Sequence, residues 1–437
     1  MKARLSALTL TAAACLWGAL LAAYSVQDGP AASENAGSSS FTIAVIPDTQ
    51  NYVDFRRQRA EGFALDGQSL FLEQMRDIAA RKDVVFVAAV GDVWQHTSID
   101  VDPAHEKRGR GSIGDPQLEP RLKPTPKALS QEIPGAIEGY KLLSKAGLPF
   151  GVAPGNHDYD AVWSVYAVAL QPGQDPATAP VGVHVGGLDN FRSVFGSDGD
   201  FFRDRDWYVD SFRGGANSAQ VFTAGGYRFL HIALEMSPDD NVLRWAESVM
   251  QNHAGYPTIV TTHDYLNTRG ERRAHFSLDL AAADPGHHNN AEQLWEKLIS
   301  AWDQVFLVLC GHHHGQSRRI DDNRYGNPVY QVLADYQGRG QAGLDAGQPR
   351  EADGGVMGLG DGWYRLMHFD LDASTPTVRV QTWSSHYRRH ASGLPTYAEW
   401  YRDYEQPGMG DSEFVAADEF ILEMPEFRKR FARARLQ

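Results

Sequence analysis

Residues Leu307–Gln316 read "LVLCGHHHGQ". The apolar run ending at Cys310 has the pattern of a strand buried on both faces, and such a strand has no structural need of three imidazoles at its end. Either the histidines form a solvated tract or something holds them. The rest of the chain repeats the arrangement. "FTIAVI" (41–46) runs into Asp48 and Gln50, and "VVFVAAV" (84–90) into Gly91-Asp92. "LPFGVAP" (148–154) runs into Gly155-Asn156-His157-Asp158, and "PTIVTT" (257–262) into His263. Five apolar strands thus end in residue types that ligate metals.

Helical spacing lies between these strands. "QSLFLEQMRDIAARK" places Leu72, Met75, Ile78 and Ala79 at helical intervals, and "GAIEGYKLLSKAG" places Ala136, Ile137, Tyr140 and Leu143 on one face, with Gly147 as a stop. "DDNVLRWAESVMQNHAG" and "NAEQLWEKLISAW" are two further helices, and "AQVFTAGGYRFLHIAL" is a hairpin about Gly225-Gly226. This alternation predicts an α/β fold, whose sites form at the C-terminal ends of strands. With a side-chain period of two, Asp48 and Gln50 should project together, and so should His312 and His314, with His313 facing away. Gly91, Gly155 and Gly311 would let backbone approach the site closely. "PVYQVLADYQ", "WYRLMHFDLD" and "TVRVQTW" read as strands that close a second sheet. The stretch from Gln95 to about Ser130 reads as a loop insertion, either a lid or specificity wall or a decoration. Residues 391–437 form a charged, aromatic extension to which the sequence assigns no role.

"PDTQ", "GDVWQ", "GNHD", "TTHD" and "GHHHG", in that order and each after a strand, resemble the calcineurin-like metallophosphoesterase family over about Phe41 to Trp383. The resemblance implies a four-layer α/β/β/α sandwich of two mixed sheets with a two-metal cleft. One divalent ion would be held by Asp48, Gln50, Asp92 and His314. The other would be held by Asp92, Asn156, His263 and His312. A bridging hydroxide would attack the phosphorus of a small-molecule phosphomonoester or phosphodiester. His157 would be the general acid for the leaving oxygen, and Asp158 would fix its tautomer and orientation. Gln50 departs from the family pattern, which has His there. An amide oxygen is a harder, weaker donor than imidazole, which shifts the expected metal from zinc or iron toward manganese. Gln50 either ligates or contacts the substrate or a metal-bound water. The alternative to an enzyme is a phospho-ligand or partner-binding module on the same fold, for which Gln50 is the only argument.

Composition bounds the remainder. The 437 residues are 42% apolar and 22% charged, which is ordinary for a globular chain, and the net charge is −14. An acidic surface repels a phosphate backbone, so nucleic acid is disfavoured as a partner, whereas bound cations would still attract a small phosphoester. Lys2 and Arg4 precede the apolar run 5–23, and residues 24–40 form a polar linker. This pattern predicts an export signal cleaved near Ala23 and a periplasmic or secreted protein; the alternative is an uncleaved anchor through 5–23. With Cys15 in that leader, Cys310 is left without a disulfide partner and reads as a small buried hydrophobe.

Overall fold

Strand β1 (Ser40–Ile46) buries both of its faces. Phe41, Ile43 and Val45 point into one apolar layer, and Ala44 and Ile46 into another. This is why its sequence is continuously apolar rather than alternating. The computed structural model describes residues 40–100, 123–165, 182–273, 279–283 and 286–436. The expected leader, its linker up to residue 39 and residues 101–122 of the insertion lie outside them. Among the described residues, no helix is long and apolar enough to cross a membrane.

The further strands are β2 (Val84–Ala89), β3 (Phe150–Val152), β4 (Val162–Val165), β5 (Gly182–Val185), β6 (Tyr208–Phe212), β7 (Asn217–Ala224), β8 (Tyr227–Ala233), β9 (Thr258–Thr261), β10 (Val305–Cys310), β11 (Gly315–Asp322), β12 (Pro328–Asp335), β13 (Trp363–Asp370), β14 (Thr377–Ser384), β15 (Arg389–His390) and β16 (Phe420–Glu423). The first sheet has the order β15-β14-β13-β1-β2-β3, with β16 also on β14; β1, β2 and β3 are parallel, and β13 returns antiparallel. The second has the order β11-β12-β10-β9-β8-β7-β6 with a parallel centre from β12 to β8. The layer between the sheets contains Phe41, Ile43, Phe86, Phe229, Leu307, Leu309 and Phe369. Outside the first sheet pack helices α1 (Gly67–Ala80) and α2 (Ile133–Lys145), through Phe71, Met75, Ile78, Tyr140 and Leu143. Outside the second pack α3 (Asp240–Asn252) and the helix starting as α4 (Ala291–Leu294), through Val242, Ala246, Leu294 and Leu298. The result is two mixed seven-stranded sheets flanked by helices, a layered α/β/β/α sandwich. Full burial of each large apolar side chain contributes about 1.5–3 kcal/mol.

Three expectations change. β13 and β14 extend the first sheet beside β1, and only β12 joins the second. The loop read from Gln95 to Ser130 is already helical by Ala128. The boundary at residue 390 also dissolves. β16 pairs with β14 from Thr377↔Glu423 to Val380↔Phe420, and the rings of Phe427 and Phe431 lie 5.6 and 5.7 Å from that of Phe306 in the inter-sheet layer. The extension supplies part of the core.

His231 on β8 is structural, as its place within a strand suggests. Its Nδ1 lies 2.7 Å from Gln220 Oε1 and its Nε2 2.8 Å from Thr261 Oγ1. A Cβ on Gly151 would stand 2.4 Å from Gln220 Oε1 and 2.5 Å from the imidazole, so only glycine fits beside this pair. Burial lowers the His231 pKa to about 3. The unfolded chain protonates this group near pH 6.5 and the folded one does not, so stability is lost as pH falls from 6.5 toward 3. His231→Leu should be less stable at pH 7, because Gln220 and Thr261 lose their partner. Its unfolding midpoint should fall less steeply with acid than that of the parent, as read by urea denaturation at several pH values. Parallel pH profiles would contradict the assignment.

Candidate metal centre

The carboxyl ends of β1, β2, β3, β9 and β10 converge on one spot because both parallel sheet centres run toward it. Glycines allow the approach. A Cβ on Gly155 would stand 2.2 Å from Asp92 Oδ1, and one on Gly311 would stand 2.1 Å from Asp48 Oδ1. Gly91 has φ 114°, where its Cβ would meet the Gly155 nitrogen at 2.7 Å. Asp92 itself has φ 51° and His312 has φ 72°. A left-handed backbone is costly for residues with a Cβ and persists where surrounding contacts enforce it. Here the Thr49 N–H donates to the Asp92 carbonyl at 3.0 Å, and the His312 N–H donates to Asp48 Oδ2 at 3.1 Å.

His263 is the centre of the cluster and is fully buried. Its Nδ1 is 2.9 Å from the Val90 carbonyl oxygen, which can only accept, so Nδ1 carries the proton. Nε2 then faces Asn156 Oδ1 at 3.1 Å, His312 Nδ1 at 3.2 Å, Asp92 Oδ2 at 3.3 Å and Asp48 Oδ2 at 3.9 Å. Asp92 and Asp48 bring negative charge into this buried space, and a cation among these atoms would offset it. Without a metal a proton does this. Burial lowers the His263 pKa, but Asp92 and Asp48 outweigh it and hold the ring well above the usual imidazole range. Asp92, His263 and His312 bring ligand atoms within 4.8 Å of one another and could hold a metal ion.

Asp48 and Gln50 lie beside this cluster. Both are buried, and Asp48 Oδ1 and Gln50 Oε1 have no hydrogen-bond partner among the described residues. Unpaired buried oxygens are expensive unless a ligand completes them. Burial and then Asp335 and Asp92 push the Asp48 carboxyl well above the usual carboxylate range, against His263. Gln50 Nε2 donates to Asp92 Oδ2 at 3.1 Å, so the amide bridges toward the other ligands and leaves its oxygen unspent. Gln337, which the sequence did not flag, approaches Asp48 Oδ2 at 3.4 Å. The donor set of carboxylate, amide oxygen and imidazole suits a divalent cation.

His314 departs from expectation. Among the described residues it joins no group of three metal-type ligands, and its Nδ1 lies 2.9 Å from the Tyr404 hydroxyl. The period-two argument fails because the histidines sit in a turn between β10 and β11, where the left-handed His312 breaks the alternation. His313 Nε2 lies 3.1 Å from Asp264 Oδ1, and with His312 the two form a further group that could hold a metal ion. The expected role of Asp158 also fails. Its carboxylate accepts the Val93 N–H at 2.8 Å and the Gly155 N–H at 2.8 Å, so it clamps two loops together and leaves the imidazole of His157 to another partner. That partner is the Gln95 carbonyl, 2.6 Å from Nδ1. His157 Nε2 is therefore the ring atom left for chemistry, 3.8 Å from Asp92 Oδ2. Burial depresses the His157 pKa against the pull of Asp92. A backbone carbonyl has no sequence signature, so this orienting contact was not legible. His96 is buried, with Nδ1 2.7 Å from Glu132 Oε1, and with Asp54 and Glu132 it forms a further group whose ligand atoms could hold a metal ion.

No protein-family model matches the chain. It is 25% identical over 259 residues to the uncharacterized protein YvnB of Bacillus subtilis strain 168, a match covering 58% of this chain. The match spans 16% of the length of that relative. Among solved structures it is similar to GAP50, the anchor in the inner membrane complex of Plasmodium, with a TM-score of 0.34 and 12% identity over 80% of this chain and 86% of that one.

Asp92 touches both halves of the cluster, through Gln50 on one side and His263 on the other. Asp92→Asn should therefore abolish most metal binding, as measured by elemental analysis after dialysis against manganese. Full retention of metal would remove Asp92 from the ligand set. Gln50→His should raise zinc affinity if the side chain ligates; an unchanged zinc titration would place it outside the coordination shell.

Proposed function

We infer that the chain is a metal-dependent phosphoester hydrolase of the calcineurin-like type. The observation that supports this most is the gathering of Asp92, Asn156, His263 and His312 beside the unpaired oxygens of Asp48 and Gln50. In this reading Asp92, Asn156, His263 and His312 hold one divalent cation, and Asp48, Gln50, Asp92 and His314 hold a second, with manganese, iron or zinc as the metals. Such ions supply positive charge to the phosphate oxygens and acidify a water. They also attract an anionic substrate to a chain of net charge −14. The pattern of residues 1–40 accords with action outside the cytoplasm.

The chain's own residues would do the following. Gln95 holds His157 with Nδ1 protonated, so Nε2 faces the site. Burial depresses the pKa of the ring against the pull of Asp92. A phosphoester beside Nε2 brings negative charge, which favours the protonated ring. His157 then takes up a proton from solvent at Nε2 and delivers it to the leaving oxygen. Asp158 keeps the "GDV" and "GNH" loops together, which sets the distance between Asp92 and His157.

A second reading has one observation behind it. Gln50 stands where an imidazole would be the stronger donor and spends its Nε2 on Asp92, so the second cation set is weaker than the first. A chain holding one ion would suit a phospho-ligand binding module. A chromogenic phosphodiester with added manganese separates the two readings: turnover supports the hydrolase, and binding without turnover supports the module.

His157→Ala should keep the metal content and lose about 10²–10⁴-fold in kcat, the range for a positioned acid. The loss should be larger for alkyl esters than for p-nitrophenyl esters, whose leaving group needs no proton. Equal losses on both would exclude proton donation by His157.

A further inference from the structure

The metal reading accounts for His314 only if something fixes which ring nitrogen carries the lone pair, and the described contact comes from the C-terminal extension. Helix α5 (Tyr397–Glu405) packs Tyr397, Ala398 and Tyr401 against Ala334, Tyr336 and Trp363. Its last residues are anchored by Arg339, which is 1% exposed. The Arg339 guanidinium donates to Glu405 Oε1 at 2.7 Å and Oε2 at 2.9 Å, to Gln316 Oε1 at 3.0 Å and to the Tyr397 hydroxyl at 2.5 Å. It also lies 4.0 Å from the ring centroid of Tyr336 and 4.7 Å from that of Tyr401. A forked, stacked arginine of this kind fixes position as well as charge. Gln406 adds donations to the Gln316 carbonyl at 2.7 Å and the Thr268 carbonyl at 2.9 Å.

This anchoring ends on an exposed residue. Tyr404 is 56% exposed, yet its hydroxyl is 2.9 Å from His314 Nδ1 and its ring centroid is 6.0 Å from the imidazole. Gly338, next to Arg339 in sequence, makes the space for both rings. A Cβ there would stand 2.7 Å from Tyr404 Cε1 and 2.9 Å from His314 Nδ1. Packing does not require an exposed tyrosine to be held so closely, whereas an imidazole that must present one chosen nitrogen does require a partner on the other.

We propose that Tyr404 is a positioning residue of the metal centre, so that the C-terminal extension completes the site. Its hydroxyl oxygen accepts the His314 Nδ1 proton, which leaves the lone pair on Nε2 for the cation shared with Asp48 and Gln50. This rests on the two-cation reading given above. The residue that meets His314 Nδ1 stands ninety positions later in the chain.

The test is calorimetric titration of the chelator-stripped full chain with manganese, for the parent, Tyr404→Phe, His314→Gln and the double variant. The parent should bind two ions. Tyr404→Phe should weaken one of them about 10–100-fold and leave the other unchanged, the usual cost of losing such a partner. Its melting temperature without metal should not move, because the side chain is largely exposed. In the His314→Gln background the Tyr404 change should add nothing further, since both act through one ligand. Two undiminished ions in Tyr404→Phe would overturn the proposal and leave the two-cation reading intact. Equal losses with and without His314 would also overturn it, by showing a general structural effect. A parent that binds no ion would defeat the two-cation reading itself, and the proposal with it.

Discussion

Electron-rich atoms do not gather in a dry space without a cation to hold them. The lone pair of His263, the carboxylates of Asp92 and Asp48, the Asn156 amide oxygen and the His312 imidazole all face one another. Without a metal, the charge on the His263 ring offsets the two carboxylates. The fold brings these side chains together because each sits where a parallel strand stops, backed by two seven-stranded sheets and an apolar layer between them. Tight backbone approach at Gly91, Gly155 and Gly311, and left-handed backbone at Asp92 and His312, are what it costs to bring five strand ends this close.

A second level of organisation holds the ligands at fixed angles, and much of it is backbone. Val90 orients His263, Gln95 orients His157, and the N–H groups of Val93 and Gly155 hold Asp158. Carbonyls can only accept and N–H groups can only donate, so these contacts specify tautomers without ambiguity. Asp158 illustrates how a residue inside a motif can serve to hold the loops around it together.

The extension after residue 390 changes how the molecule divides. It inserts a strand beside β14, places Phe427 and Phe431 between the sheets, and closes a buried network in which Arg339 and Arg365 meet Glu405 and Asp418. Removing one partner from such a network strands a charge in the interior, which is far more costly than never having buried the pair. The segment is therefore bound to the sandwich by both apolar and ionic terms.

The strand–helix alternation, the layered class and most of the cluster were legible in the sequence, because they rest on local periodicity and on residue types at strand ends. Asp48, Asp92, Asn156, His263 and His312 stood out for that reason. The sheet membership of β13 and β14 was not legible, since a strand's own sequence does not name its neighbour. The orientation of His314 was not legible, because the left-handed His312 voids the period-two rule and torsion angles are not written in residue identity. Tyr404 and Arg339 carried no signal at all: their meaning depends on contacts across 90 and 66 positions of chain. The sequence alone determined which side chains were available and which strands would end in them. Only the tertiary structure decided which of those side chains meet and which backbone groups orient them, because contact between distant segments is set by how the layers stack.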